Sequence, residues 1–355
     1  GLFLEIATLQ ACYAQPRLNV DTVEIEMDPS LPTIFVAGDS TAAKGTGEDY
    51  RGWGFLLGDY FDSSQVNIDN RARGGRSSRT FITEGHWDNK LTLEFNGAAP
   101  RVHSIEIQSV VCPTVYLMGD STVTDQPFEP AASWGQMLPR FLDDGVAVSN
   151  HAESGETIKS SITGLRLAKV LESMKQGDYL FMQFTHNDQK KQWPQTYVEA
   201  DTTYKAYLRV LIAEARLRGA TPVLVTSMQR RRFDQKGRVV STLGDYPKAM
   251  RELASDEGVA LIDLEPMSVA LYENLGVEKA PLAFNRGGAD ATHHNNYGAY
   301  QLAQCVAQGI SDAKLDLAKH IIADFKRYDP TNPDDVDTFR LSASPNWSDA
   351  IPRGD

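Results

Sequence analysis

Pro113-Thr-Val-Tyr-Leu-Met-Gly-Asp-Ser-Thr-Val-Thr-Asp-Gln126 is the stretch whose reading decides the fold. Residues 115–118 are apolar or aromatic and read as a short buried strand, which Gly119 and the small polar residues Asp120, Ser121 and Thr122 then break. In an open α/β sheet, ligands bind at such a strand end. A helix starting there would aim its backbone N–H groups at any anion formed beside the hydroxyl. Ser121 is therefore a candidate nucleophile; the plainer alternative is that Asp120 and Ser121 only cap the next helix.

Working outward, strands and helices alternate. Strands are expected over 146–149, 179–184, 222–226 and 259–264, and helices over 133–142 and 249–254. Leu167, Val170, Leu171 and Met174 form one helical stripe, and Tyr204, Tyr207, Leu208, Leu211, Ile212 and Ala215 form a stronger one. A last helix is expected over 296–310. Alternating βαβ units imply a parallel sheet covered on both faces.

The stretch also repeats. Leu31-Pro-Thr-Ile-Phe-Val-Ala-Gly-Asp-Ser-Thr matches Cys112-Pro-Thr-Val-Tyr-Leu-Met-Gly-Asp-Ser-Thr, setting Ser40 and Ser121 at an offset of 81 residues. Arg51-Gly-Trp-Gly parallels Ala132-Ser-Trp-Gly, and Asn70-Arg-Ala-Arg-Gly-Gly parallels Asn150-His-Ala-Glu-Ser-Gly. Alternating strand patterns precede both copies, but copy one stops after Asn89. Five segments are expected: a β preface at 1–30, a truncated copy at 31–89, a second preface at 90–112, a complete domain at 113–326 and an irregular, proline- and aspartate-rich tail at 327–355.

Composition narrows the function classes. The 355 residues are 41% hydrophobic, enough for sizeable cores, and the net charge of -12 argues against a nucleic-acid partner, which needs clustered Lys and Arg. No run of apolar residues is long enough to span a membrane. The first residues, Gly1-Leu-Phe-Leu-Glu, lack the basic start of a signal peptide, so the chain is expected to begin inside a domain. Cys12, Cys112 and Cys305 show no metal-ligand spacing and leave the compartment open.

Three further stretches are expected on the rim that carries Ser121: 150–155, ending in Gly155; 184–188, containing Asn187; and Asp290-Ala-Thr-His293. A serine becomes nucleophilic when a base takes its proton. His293 is of the right type, and Asp290, three residues earlier, is close enough to orient the ring. The N–H groups of Ser121 and Gly155 and the Asn187 amide are suitable oxyanion donors. Taken singly, each motif has a plainer reading: a helix cap, an Asn-Asp turn, a glycine after a strand.

Their joint order resembles the SGNH (GDSL-type) hydrolase family. Within it, Gly-Asp-Ser-Thr-Val-Thr-Asp-Gln, the Trp-Gly that follows, His-Asn-Asp-Gln and Thr-His-His-Asn-Asn-Tyr-Gly look like rhamnogalacturonan acetylesterases. The resemblance implies a parallel five-stranded sheet with helices on both faces, preceded here by the partial copy and short β-sandwich remnants. It implies a serine esterase that removes O-acetyl groups from pectic rhamnogalacturonan, with Ser121, Asp290 and His293 catalytic and Ser121, Gly155 and Asn187 as the oxyanion hole. The implied substrate is an acetylated plant cell-wall polysaccharide, the implied location secreted or periplasmic, and no cofactor is implied. Arg230, Arg231 and Arg232, just after the fourth strand, are candidates for galacturonate carboxylates, since guanidinium forks suit them.

One departure stands out: Thr185 replaces a glycine of the family, so a left-handed turn there would be strained. The adjacent His293 and His294 lack further ligand spacing and make a poor metal site. Copy one carries Ser40 and Gly75 but no Asn block and no Asp-x-x-His, and reads as a remnant. Two alternatives remain at this point, an esterase acting on another ester such as acetylated xylan, and a non-catalytic carbohydrate-binding module.

Overall fold

The computed structural model describes residues 10–11, 31–36, 65–70, 108–109 and 111–341. The chain divides into two compact units, one of Gly1–Tyr13 with Phe95–Asp355 and one of Ala14–Glu94. In the larger unit, β1 (Thr114–Gly119), β2 (Ala147–Asn150), β3 (Tyr179–Gln183), β4 (Thr221–Val225) and β5 (Ala260–Ile262) form an all-parallel sheet in the order β2-β1-β3-β4-β5. The strand order reverses at β1, so a crevice opens at its carboxyl end. The expected five-stranded parallel fold is what forms.

The side-chain alternation of the strands builds two cores. Val115, Leu117, Phe181, Val223 and Val225 face α1 (Trp134–Met137), α6 (Leu264–Lys279) and α7 (Asn296–Asp312), meeting Trp134, Leu271, Leu302 and Val306. Tyr116, Met118, Leu180, Met182 and Leu224 face α3 (Arg166–Ser173), α4 (Lys205–Leu217) and α5 (Tyr246–Glu257), meeting Val170, Leu208, Leu211 and Leu253. Each such apolar side chain contributes about 1.5–3 kcal/mol by leaving water. A strand buried on both faces needs apolar residues at every position, which is why 115–118 carries no polar residue.

Several elements differ from the sequence expectation. No helix follows Ser121 directly; residues 120–124 form a tight turn in which the Val123 and Thr124 N–H groups donate to the Asp120 carbonyl at 3.0 and 3.1 Å. The next helix starts only at Trp134, capped by Ser133, and tightens to a 3-10 turn over Leu138–Phe141. The fifth strand ends at Ile262, because α6 begins two residues on with Pro266 in its first turn, where a missing N–H costs nothing. A short helix α2 (Ile158–Thr163) had no counterpart in the sequence reading. The described part of the tail is irregular but anchored, with the Tyr328 hydroxyl donating to Gln301 and Gln301 donating to Asp334 on the face of α7.

In the smaller unit, Thr33–Val36 pairs in parallel with Asn67–Asn70, and Ile34 stands opposite Ile68. In the larger unit their counterparts in the repeat, Val115 and Val148, stand opposite each other in β1 and β2. Both copies therefore build the same strand pair in the same register. Ser40 and Gly75 lie outside the described residues, as do nearly all of the two β prefaces; of the prefaces, Gln10–Ala11 pairs in parallel with Gln108–Ser109.

Candidate active site

Ser121 occupies the turn at the carboxyl end of β1. Gly119 is required there, since a Cβ on it would lie 2.6 Å from Val123 Cγ2 and 2.7 Å from the Gln183 carbonyl oxygen. Asp120 does not cap a helix. Its Oδ1 accepts from the Thr122 N–H at 2.9 Å and the Thr122 hydroxyl at 2.7 Å, and its Oδ2 meets His186 Nδ1 at 3.1 Å. Burial alone would raise the Asp120 carboxyl, but His186 and the Thr122 donors outweigh it and hold the group below the usual range. Gln183 Nε2 donates to the Thr122 hydroxyl, and Trp134 Nε1 donates to Gln183 Oε1, both at 2.7 Å. The turn is thus fixed by side chains from β3 and α1.

The segment before α7 brings an imidazole to the serine. His293 Nε2 lies 2.8 Å from Ser121 Oγ, and His293 Nδ1 lies 2.8 Å from Asp290 Oδ2. Asp290 Oδ1 accepts the backbone N–H groups of Thr292 at 2.8 Å and His293 at 3.0 Å. Burial pushes the Asp290 carboxyl up, but the His293 ring and those N–H donors prevail and bring it down to about 2. The carboxylate is therefore ionised and oriented toward the ring. Capping of α7 falls to Asn295, whose side chain accepts from the Gly298 N–H.

Gly155 lies in the loop after β2, at φ 84°, a left-handed conformation that favours glycine. That loop hangs on β1, with the His151 N–H donating to the Leu117 carbonyl at 2.8 Å and the Glu153 N–H to the Gly119 carbonyl at 3.1 Å. Asn187, buried after β3, donates one Nδ2 hydrogen to the Glu156 carbonyl at 3.0 Å. Thr185 is absent from the residues with positive φ, so the strain expected there does not arise. Its hydroxyl donates instead to the Phe184 carbonyl.

Other residues take parts that the sequence did not reveal. The His293 and His294 rings diverge: His294 Nε2 sits 2.7 Å from the Tyr272 hydroxyl, and its ring stacks with Tyr272 in the core. Burial depresses His294 to about 3, so it is neutral. Among the described residues no group of three His, Cys, Asp or Glu side chains could hold a metal ion. Arg230 Nε donates to Thr292 Oγ1 at 3.2 Å and its Nη2 to the His186 carbonyl at 3.3 Å. The Arg231 N–H donates to the Ala291 carbonyl at 2.8 Å and its guanidinium to the Gly288 carbonyl. Those two arginines hold the loop that carries Asp290, and Arg232 is the exposed one. Asp188, beside Asn187, is fully buried, and desolvation with some repulsion from Asp120 and Glu156 pushes its carboxyl up to about 8.

The model of the GDSL-like lipase/acylhydrolase family matches residues 117–300, more than half of the chain, and that span runs from β1 through the serine, glycine, asparagine and histidine positions. The chain belongs to this family. It is an ester hydrolase, not a non-catalytic carbohydrate-binding module. The chain is 40% identical over 222 residues to the rhamnogalacturonan acetylesterase RhgT of Bacillus subtilis, covering 59% of this chain and 94% of that relative. It is 38% identical over 211 residues to the probable rhamnogalacturonan acetylesterase YesY of the same organism, covering 59% and 97%. The crystal structure of the Bacillus subtilis protein YxiM superposes with a TM-score of 0.54 at 30% identity over 59% of each chain.

Proposed function

We propose that this esterase removes O-acetyl groups from pectic rhamnogalacturonan through an acetyl-Ser121 intermediate. The observation that carries the mechanism is the continuous series Ser121 Oγ, His293, Asp290, with both links at 2.8 Å. Ser121 Oγ attacks the acetyl carbonyl carbon while His293 Nε2 takes the hydroxyl proton, and Asp290 stabilises the imidazolium that results. The carbonyl oxygen becomes an oxyanion, met by the N–H groups of Ser121 and Gly155 and by Asn187 Nδ2. The bond to the sugar oxygen breaks, and that oxygen leaves with the proton from His293. Water then repeats the sequence on the acetyl-serine, its proton passing through His293, and releases acetate.

The substrate reading is supported by two relatives named as rhamnogalacturonan acetylesterases, which the chain matches over nearly their whole length. Of the three arginines, Arg230 and Arg231 brace the Asp290 loop, and the exposed Arg232 is proposed to meet a galacturonate carboxylate. A polymeric wall substrate cannot cross a membrane, so the protein acts outside the cytoplasm, secreted or periplasmic. The disulfide at Cys112 suits that oxidising setting. Among the described residues no helix is long and apolar enough to cross a membrane. In the deciding experiment, Ser121→Ala abolishes acetate release from acetylated rhamnogalacturonan while the fold persists. Full activity in that variant defeats the mechanism, and faster release from acetylated xylan than from pectin defeats the substrate.

A further inference from the structure

The turn that presents Gly155 is held from outside by a residue that takes no part in the chemistry described above. Residues 153–156 close on themselves through the Glu156 N–H and the Glu153 carbonyl at 3.1 Å. Arg166, the first residue of α3, reaches both ends of this turn. Its Nη2 lies 2.8 Å from Glu153 Oε2 and its Nε 2.6 Å from Glu156 Oε2. The two glutamates bracket Gly155, and the same Glu156 gives its carbonyl to Asn187. A single guanidinium therefore ties down the backbone of one oxyanion donor and the hydrogen-bond partner of another.

The chain bends unusually to put it there. Leu165 is 69% exposed and sits at φ 61°, a left-handed conformation that a leucine rarely adopts. Such conformations persist where the surroundings over-determine them. Here the bend separates α2 from α3 and starts α3 at Arg166. Charge gives a second reason for the arrangement. Two carboxylates within two residues of the donor oppose an oxyanion forming beside it, and a guanidinium bound to both reduces that opposition.

We propose that Arg166 is a positioning residue for ester hydrolysis, fixing the Gly155 turn and offsetting part of the negative charge of Glu153 and Glu156 where the oxyanion forms. The proposal rests on the reading of Gly155 and Asn187 as oxyanion donors. Arg166→Gln lowers kcat on p-nitrophenyl acetate by roughly ten- to a hundredfold, with KM changed by less than about twofold. It weakens inhibition by methylboronic acid, which adds to Ser121 as a tetrahedral anion, by a similar factor. Adding Glu153→Gln to Arg166→Gln removes one uncovered charge and restores part of the lost kcat, which a merely structural clamp would not do. If Arg166→Gln fails to fold, Arg166→Lys, which keeps the charge but not the fork, carries the same comparison with a smaller loss. A folded Arg166 variant with unchanged kcat and boronate affinity overturns the proposal, as does a kcat loss that Glu153→Gln leaves unrelieved. Retained activity in Ser121→Ala would overturn the underlying site reading instead.

Discussion

His186 lies 3.1 Å from Asp120 and forms, next to Ser121 in the chain, a second acid–imidazole pair. Its other nitrogen, Nε2, is 3.0 Å from the Met228 carbonyl. Both ring nitrogens therefore face groups that accept hydrogen bonds. The pair is fully buried and ties the ends of β1, β3 and β4 together.

His186→Gln removes the ring that pairs with the buried Asp120 carboxylate. The expected loss is about 3–5 kcal/mol of unfolding free energy, the usual result of breaking a buried pair from one side. Urea denaturation measures it. Asp120→Asn in the same background should regain part of the loss, and a change below about 1 kcal/mol would show that the pair is not ionic.

Asp290→Asn keeps an acceptor for the Thr292 and His293 N–H groups but turns an amide toward the His293 ring. The wrong tautomer then faces Ser121, and kcat should fall by roughly three to four orders of magnitude with little change in melting temperature. Activity within tenfold of the parent would mean that His293 is oriented by something else.

His294 gives stability a pH dependence. An unfolded chain protonates it near pH 6.5, at the ordinary histidine value, whereas the folded ring stays neutral down to about pH 3. Between those values the unfolded state binds the additional proton, so stability falls as pH drops, by up to about 1.4 kcal/mol per unit, and is unaffected above 7. His151, partly buried and depressed to about 4 by desolvation, adds a slope of the same sign. Unfolding free energies measured from pH 7 to pH 4 should fall less steeply in His294→Gln; parallel curves would contradict the assignment.

Gly119→Ala tests the close approach under the nucleophile. The added methyl meets Val123 and the Gln183 backbone, and the second contact cannot rotate away. A stability cost of about 1–3 kcal/mol is expected, with a larger proportional loss of kcat because the Ser121 turn must shift. Unchanged kinetics in a destabilised variant would separate the glycine from the site.

Ser40→Ala should leave the rate on acetylated substrate within about a factor of two, as for a position that stabilises no transition state. Copy one has no Asp-x-x-His of its own, and a fluorophosphonate should label Ser121 alone. Labelling of Ser40 would make the first copy a second active site.

The sheet was readable because parallel strands buried on both faces leave uninterrupted apolar runs, as in 115–118 and 179–182. The serine, asparagine, aspartate and histidine positions were readable because chemistry restricts them to few residue types. What escaped depends on distance in the chain. Nothing in the spacing of Glu153, Glu156 and Arg166 announces a shared ion pair, and His186 looks like any loop histidine until Asp120 and Met228 close on it. Helix α6 was missed although Leu264, Leu271, Tyr272 and Leu275 mark one face, because Leu264 also completes an apolar strand-like run.

Ser121 and His293 meet across a sequence separation of 172, and the imidazole arrives on the last segment before the final long helix. Contacts of such long sequence separation form late and slow folding down. Hydrolysis therefore works as a clock for completion of the fold. During refolding from urea the helical signal should return ahead of turnover, and on the ribosome a chain released before Asp290 and His293 have emerged carries its nucleophile without a base. A half-made copy of this enzyme is therefore silent.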